Sequence, residues 1–167
     1  MADPTLIATA KAADANSYVT RAAAQSYLDT RLSTDAWAAA GGVDQDRALI
    51  MATSWLEQER YAGAKTTTTQ RLQWPRAGVY DPDGNAYDDD VIPRPVEEAT
   101  AELALALLAG EVSLAPTGLE GFEALAVGPV SLTPRGSGAM PSLPAQVTRL
   151  LRGLRTTAAG SVPLVRG

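Results

Sequence analysis

Residues 94–109 read Arg-Pro-Val-Glu-Glu-Ala-Thr-Ala-Glu-Leu-Ala-Leu-Ala-Leu-Leu-Ala, and the fold class turns on them. From Ala99 to Ala109 almost every position is apolar, with Glu102 the charged exception. A helix that is apolar all round is a buried one, so this stretch is expected at the centre of a bundle. Ile92-Pro93 leads in, and Pro95 falls in the first turn, where a missing N–H matters least. Glu97 and Glu98 sit where the helix dipole favours negative charge, and Gly110 ends the run.

Upstream, Thr20 is an N-cap for a helix over 21–32, with Ala24, Tyr27, Leu28 and Arg31 at helical spacing. Residues 33–40 form a short turn or helix carrying Trp37, which Gly41-Gly42 is expected to end. Asp44 would cap a longer helix over 45–60. Leu49, Ala52 and Leu56 make its inner stripe, Ile50 and Trp55 flank it, and Glu57, Glu59 and Arg60 face water. Leu6-Ile7 is a candidate short strand. Residues 65–90 are irregular, and a loop of that length in a compact domain implies a functional role. Downstream, Leu125–Val127 and Val130–Leu132 read as strands around Gly128-Pro129, and Gly136-Ser137-Gly138 as a flexible joint. Residues 144–155 form a short helix with Val147, Leu150, Leu151 and Leu154 on one stripe and Arg149, Arg152 and Arg155 on another.

The expected architecture is therefore mainly α: a small helical bundle with a short β-hairpin and an extended C-terminal arm carrying a short helix. The bundle occupies 1–115 with a long interface loop at 64–92. A small β element follows at 116–134, and 135–167 hold the joint, the basic amphipathic helix and the arm.

Composition narrows the chemistry. The chain has 167 residues, no Cys and no His. This removes disulfides, thiolate metal sites, the commonest general base and every Ser-His or Cys-His arrangement. Aromatics are only 5%, so alanine and leucine supply most of the apolar surface, which favours close-packed helices. No apolar run approaches the roughly 20 residues that span a bilayer, and the first ten residues lack a signal-peptide pattern. A soluble protein made in a host cytoplasm is expected. Net charge is −5, but five arginines and no acidic residue lie from Arg135 onward. Residues 1–134 thus hold nine basic residues against all nineteen acidic ones, a balance of −10. An acidic body with a basic tail points to partners.

Asp81, Asp83, Asn85 and Asp88–Asp90 invite a calcium loop, but counting from Asp81 puts Gly84 at the fourth place and Ile92 at the twelfth, and the pattern fails. A capped turn and a solvated acidic run are the simpler reading; a basic surface on a neighbouring subunit is the sharper one. No phosphate loop exists, and Glu97 and Glu98 point in different directions, so they cannot flank one bond. No catalytic, cofactor or metal site is assigned, and no enzyme is expected. Trp74 and Arg76, with Asp88, Asp89 and Asp90, are the candidate inter-subunit residues, since Trp and Arg anchor interfaces; an equal and compatible reading has Trp74 plugging the bundle while Pro75 turns the chain. Val147, Arg149, Leu150, Leu151, Arg152, Leu154 and Arg155, with Leu164, Val165 and Arg166, are the candidate partner-binding set. A stripe this short needs a partner surface, either its own bundle or another protein.

The order of features resembles a phage family often labelled DnaT-like single-stranded DNA-binding. The resemblance is carried by Ala15-Asn16-Ser17-Tyr18-Val19-Thr20, by Asp46-Arg47-Ala48-Leu49-Ile50-Met51-Ala52-Thr53, and by Leu72-Gln73-Trp74-Pro75-Arg76 with Gly78-Val79 and Asp83-Gly84. Ile92-Pro93, Glu102-Leu103-Ala104, Val127-Gly128-Pro129-Val130 and Leu164-Val165-Arg166-Gly167 extend it over nearly the whole chain from Ala15. What it implies is a head–tail connector, or adaptor: a structural protein of the virion neck that forms a ring, usually of twelve copies, under the portal. Its expected partners are the portal protein, copies of itself, a tail-side neck or tail protein, and packaged DNA in the lumen, with no membrane. On that reading, removing residues 141–167 abolishes portal binding and leaves the body folded. The alternative is a single-stranded DNA-binding module. That requires a basic groove and stacking aromatics, of which only the arginine tail is evident, with at most about five phosphate contacts.

Overall fold

The computed structural model describes residues 3–112, 122–126, 131–134 and 143–156. In chain order its helices are α1 (Arg21–Leu28), α2 (Asp35–Ala39), α3 (Gly42–Leu56), α4 (Arg94–Leu108) and α5 (Ala145–Leu151). Between α3 and α4 lie the two-residue strands β1 (Ala64–Lys65) and β2 (Arg76–Ala77), paired antiparallel. Between α4 and α5, β3 (Phe122–Ala126) and β4 (Ser131–Pro134) form a second antiparallel pair, with Leu125 opposite Leu132. The chain is mainly helical with a small hairpin, as its alanine-leucine composition predicts.

α4 is the central element. Val96, Ala99, Leu103 and Ala104 are all fully buried, and α4 packs against each of the other four helices. The small alanine side chains let those neighbours approach closely. Thr100, also buried, turns its hydroxyl onto the Val96 carbonyl at 2.8 Å. Glu102 is the one charged residue on the buried face of α4. Its carboxylate accepts the Tyr27 hydroxyl at 2.6 Å and the Arg31 Nε at 2.5 Å. A buried carboxylate needs such partners, and here they lock α1 to α4.

α1 starts where its cap predicts. The Thr20 hydroxyl accepts the Ala23 N–H at 3.2 Å. Thr20→Ala is expected to lower stability by about 1 kcal/mol, roughly 3 °C in a thermal melt followed by circular dichroism. The helix ends at Leu28 rather than at position 32, and the chain turns through Ser33 at φ +60°. Leu32 is left 90% exposed.

α3 begins three residues earlier than expected. Gly41-Gly42 opens it instead of ending α2: Gly41 is the N-cap and Asp44 lies in the first turn. The guanidinium of Arg21 occupies the space that a Cβ on Gly42 would need, and pairs with Asp46 at 3.4 Å. Glu57, just past the end of α3, does not face water. Its carboxylate accepts the Tyr18 hydroxyl and, at 2.8 Å, the Gln73 N–H. Burial, then the Glu57 charge, hold the Tyr18 phenol far above its ordinary pKa.

In the long segment between α3 and α4, the buried Gln70 amide donates to the Leu72 and Pro75 carbonyls, and the Tyr87 N–H bonds the Val79 carbonyl at 2.9 Å. Leu6-Ile7 forms no strand, yet the Ile7 N–H and carbonyl both bond Asn16, through its side chain and its N–H. The expected strands around Gly128-Pro129 are shifted outward to β3 and β4. Gly128, Pro129 and the Gly136–Gly138 joint lie outside the described residues.

Candidate nucleic-acid interface

α5 decides how the basic tail is presented. Pro144 precedes it in an extended conformation, and the helix then runs only two turns. A helix this short is marginal alone. It is held by Val147, Leu151 and Leu154, each 1% exposed or less, which pack into the core beside α4, with Leu150 half-buried. The apolar residues that α5 contributes to the expected partner-binding set are thus packed inside the chain.

After α5 the chain turns and pairs with the segment that follows α3. The Ala62 N–H bonds the Leu154 carbonyl at 2.9 Å, and the Thr156 N–H bonds the Arg60 carbonyl at 3.0 Å, with Tyr61 opposite Arg155. This bridge sets the Arg60 backbone against Thr156, four residues beyond Arg152 at the C-cap of α5. Arg155 is half-buried and pairs with Glu59 at 2.6 Å. Arg149 and Arg152 are exposed on the outer stripe, and Arg60 is exposed next to Thr156. Among the described residues none of these three forms an ion pair; Arg149 only approaches the Gln146 amide oxygen at 3.4 Å. Three exposed arginine head groups are thus carried by α5, its C-cap and the segment bonded to Thr156, on a chain whose residues 1–134 are net acidic. Arg60 escaped the sequence reading because it belongs to a distant segment, 92 residues before Arg152. Leu164, Val165 and Arg166 lie outside the described residues.

The expected inter-subunit residues divide. Trp74 is buried, and its ring meets Tyr61 edge-on at 5.3 Å and 70°. Its Nε1 has no hydrogen-bond partner. The Trp74-Pro75 peptide is cis. Arg76 is also buried: Nε donates to the Ala62 carbonyl at 2.6 Å and Nη2 to the Gly63 carbonyl at 2.7 Å. Burial lowers its pKa. Both residues spend their contacts inside the chain, stitching the long loop to the end of α3. Asp88, Asp89 and Asp90 are exposed, with carboxylate oxygens within 4.8 Å of one another. Asp90 pairs with Lys11 of the same chain, and the Asp89 carbonyl accepts the Thr66 hydroxyl at 2.9 Å. Nearby, the Asp81 carboxylate closes its turn by accepting the Asn85 side-chain amide and the Asn85 and Asp83 N–H groups, which lowers its pKa.

Aromatic surface is scarce. Trp37, Trp74, Tyr18 and Tyr61 are buried, and among the described tyrosines and tryptophans Tyr80, at 60% exposure, is the one that stands mostly in solvent. It stands on a hairpin whose turn carries Asp81 and Asp83, which repel phosphate. The arginine end, not a stacking platform, is the surface suited to an anion.

No curated protein and no solved structure matches the chain. A family model does match, over residues 5–167. Its description, "Putative DnaT-like ssDNA binding protein", corrects the expected kinship with head–tail connectors, for which nothing in the comparisons speaks. The expectations built on that kinship, an adaptor ring of a virion neck that binds a portal, lose their basis with it. The chain belongs to the family described as putative DnaT-like ssDNA binding proteins.

Proposed function

We propose that the chain binds single-stranded DNA weakly and without sequence preference, through the arginine end formed by α5 and the close of α3. The observation that carries this reading is the exposed stripe of Arg149 and Arg152, with Arg60 on the segment bonded to Thr156, all outside any ion pair among the described residues. Family membership supports the same reading. α5 fixes the stripe rigidly, because its opposite face is seated in the core. Arginine is well matched to phosphate, since its planar fork meets the oxygens in pairs and stays charged at any working pH. The −10 body confines binding to this end, and the lack of an aromatic platform leaves electrostatics as the main contribution.

Binding of that kind has a measurable signature. Fluorescence anisotropy of a labelled oligothymidylate should give an affinity that falls with salt, with a log–log slope near −2 for about three phosphate contacts on a single strand. Arg149→Glu with Arg152→Glu should weaken binding roughly fiftyfold or more at about 50 mM salt, the counterion-release value of two contacts. The double variant should melt like the parent, since both side chains are in solvent. Absent binding, or binding indifferent to salt and to the double variant, would falsify the proposal.

A further inference from the structure

A cleft of about 310 Å³ opens between α1 and the first turn of α4. Its α1 side offers Ala23, Ala24 and Tyr27, with Val19 just before the helix; its α4 side offers Arg94, Glu97 and Glu98. The polar groups there are not equally engaged. The Tyr27 hydroxyl is committed to Glu102, and Glu98 accepts the Arg94 Nε at 2.6 Å. Glu97 is half-buried, yet among the described residues it joins no ion pair and accepts no hydrogen bond. Burial, then the neighbouring Glu98 charge, raise its carboxyl pKa, so the positive end of α4 does not compensate it fully.

Two carboxylates to one guanidinium leave the cleft net negative, which excludes phosphate. Its volume is at the lower end of the range for small-molecule sites, about 300–1,000 Å³. A small apolar wall with a half-buried carboxylate matches the anatomy of a lysine or arginine side chain, an apolar stem ending in a cation. We propose that this cleft binds an alkylammonium or guanidinium group, with the stem against Ala23 and the Tyr27 ring and the cation on Glu97. Arg94 is 85% exposed and is the built-in competitor, since it already neutralises Glu98 from the same side. The inference is independent of DNA binding at the arginine end.

The test is a titration of the full ¹⁵N-labelled chain with n-butylammonium, and with n-butanol as the uncharged control. Saturable amide shifts confined to the segments around Ala23, Tyr27 and Glu97 are expected with the amine and not with the alcohol. Glu97→Gln should abolish them while leaving the melting curve unchanged, and Arg94→Ala should tighten binding severalfold. Spermidine and N-acetyl-lysine amide, titrated in parallel, separate a free polyamine from a protein side chain by which saturates first. Equal shifts with the alcohol, shifts that persist in Glu97→Gln, or shifts centred on Asp88–Asp90 would overturn the assignment.

Discussion

Leu151→Ala is expected to lower the melting temperature by roughly 10 °C, the equivalent of about 3 kcal/mol in a chain of this size. Leu151 is fully buried in the core where α5 meets α4, so the substitution removes apolar contact and leaves a void that neighbours in the packed bundle cannot easily close. Circular dichroism during a thermal ramp reads the effect directly. A loss below about 1 kcal/mol, the size seen at surface positions, would mean that α5 is not seated on α4 in solution. Deleting everything from Pro144 goes further, because it uncovers α4 and removes Val147, Leu151 and Leu154 together. That variant is expected to lose cooperative unfolding altogether. The sequence alone suggested the opposite, a tail that could be cut away from an intact body.

Trp74→Ala should be comparably damaging, by about 4 kcal/mol, the usual range for emptying a buried indole site. Trp74→Phe should be far milder than the loss of ring volume implies. The indole N–H that it discards has no partner, and an unpaired buried donor is itself unfavourable by about 1–3 kcal/mol. The edge-on contact with Tyr61 would survive in part. Urea denaturation of the two variants checks the pair. A Phe variant as unstable as the Ala variant would show that the Nε1 is bonded in solution, for instance to a trapped water.

What could be read in advance follows physical lines. α4 was legible because an unbroken apolar run has only one place to go, and its proline and paired glutamates mark the start. Thr20 was legible because a cap is a local event. Gly41-Gly42 was misread because glycine both ends and begins helices; the choice here is made by the Arg21 guanidinium, a tertiary neighbour. Trp74 reads equally as an interface anchor or as a plug in the bundle, and the structure makes it the plug; Arg76 reads as an anchor because its side chain serves that role elsewhere. Nothing local reveals that four main-chain carbonyls, of Tyr61, Ala62, Gly63 and Gln73, converge on one guanidinium. The α5 stripe was correctly seen as needing a partner, but periodicity does not say whose surface supplies it. At the arginine end, the α5 residues were visible and Arg60 was not, since only the bridge between positions 60–62 and 154–156 joins their segments.

That bridge also sets a timetable for synthesis. α4 leaves the ribosome well before α5, with 36 residues (109–144) between the end of one and the start of the other, so at about 5–20 residues per second its covering helix follows roughly 2–7 seconds later. Through that interval an alanine-leucine face that the finished molecule hides is open to water and to other nascent chains. The molecule is consequently most vulnerable to aggregation, and most dependent on holding chaperones, just before α5 arrives to cover α4.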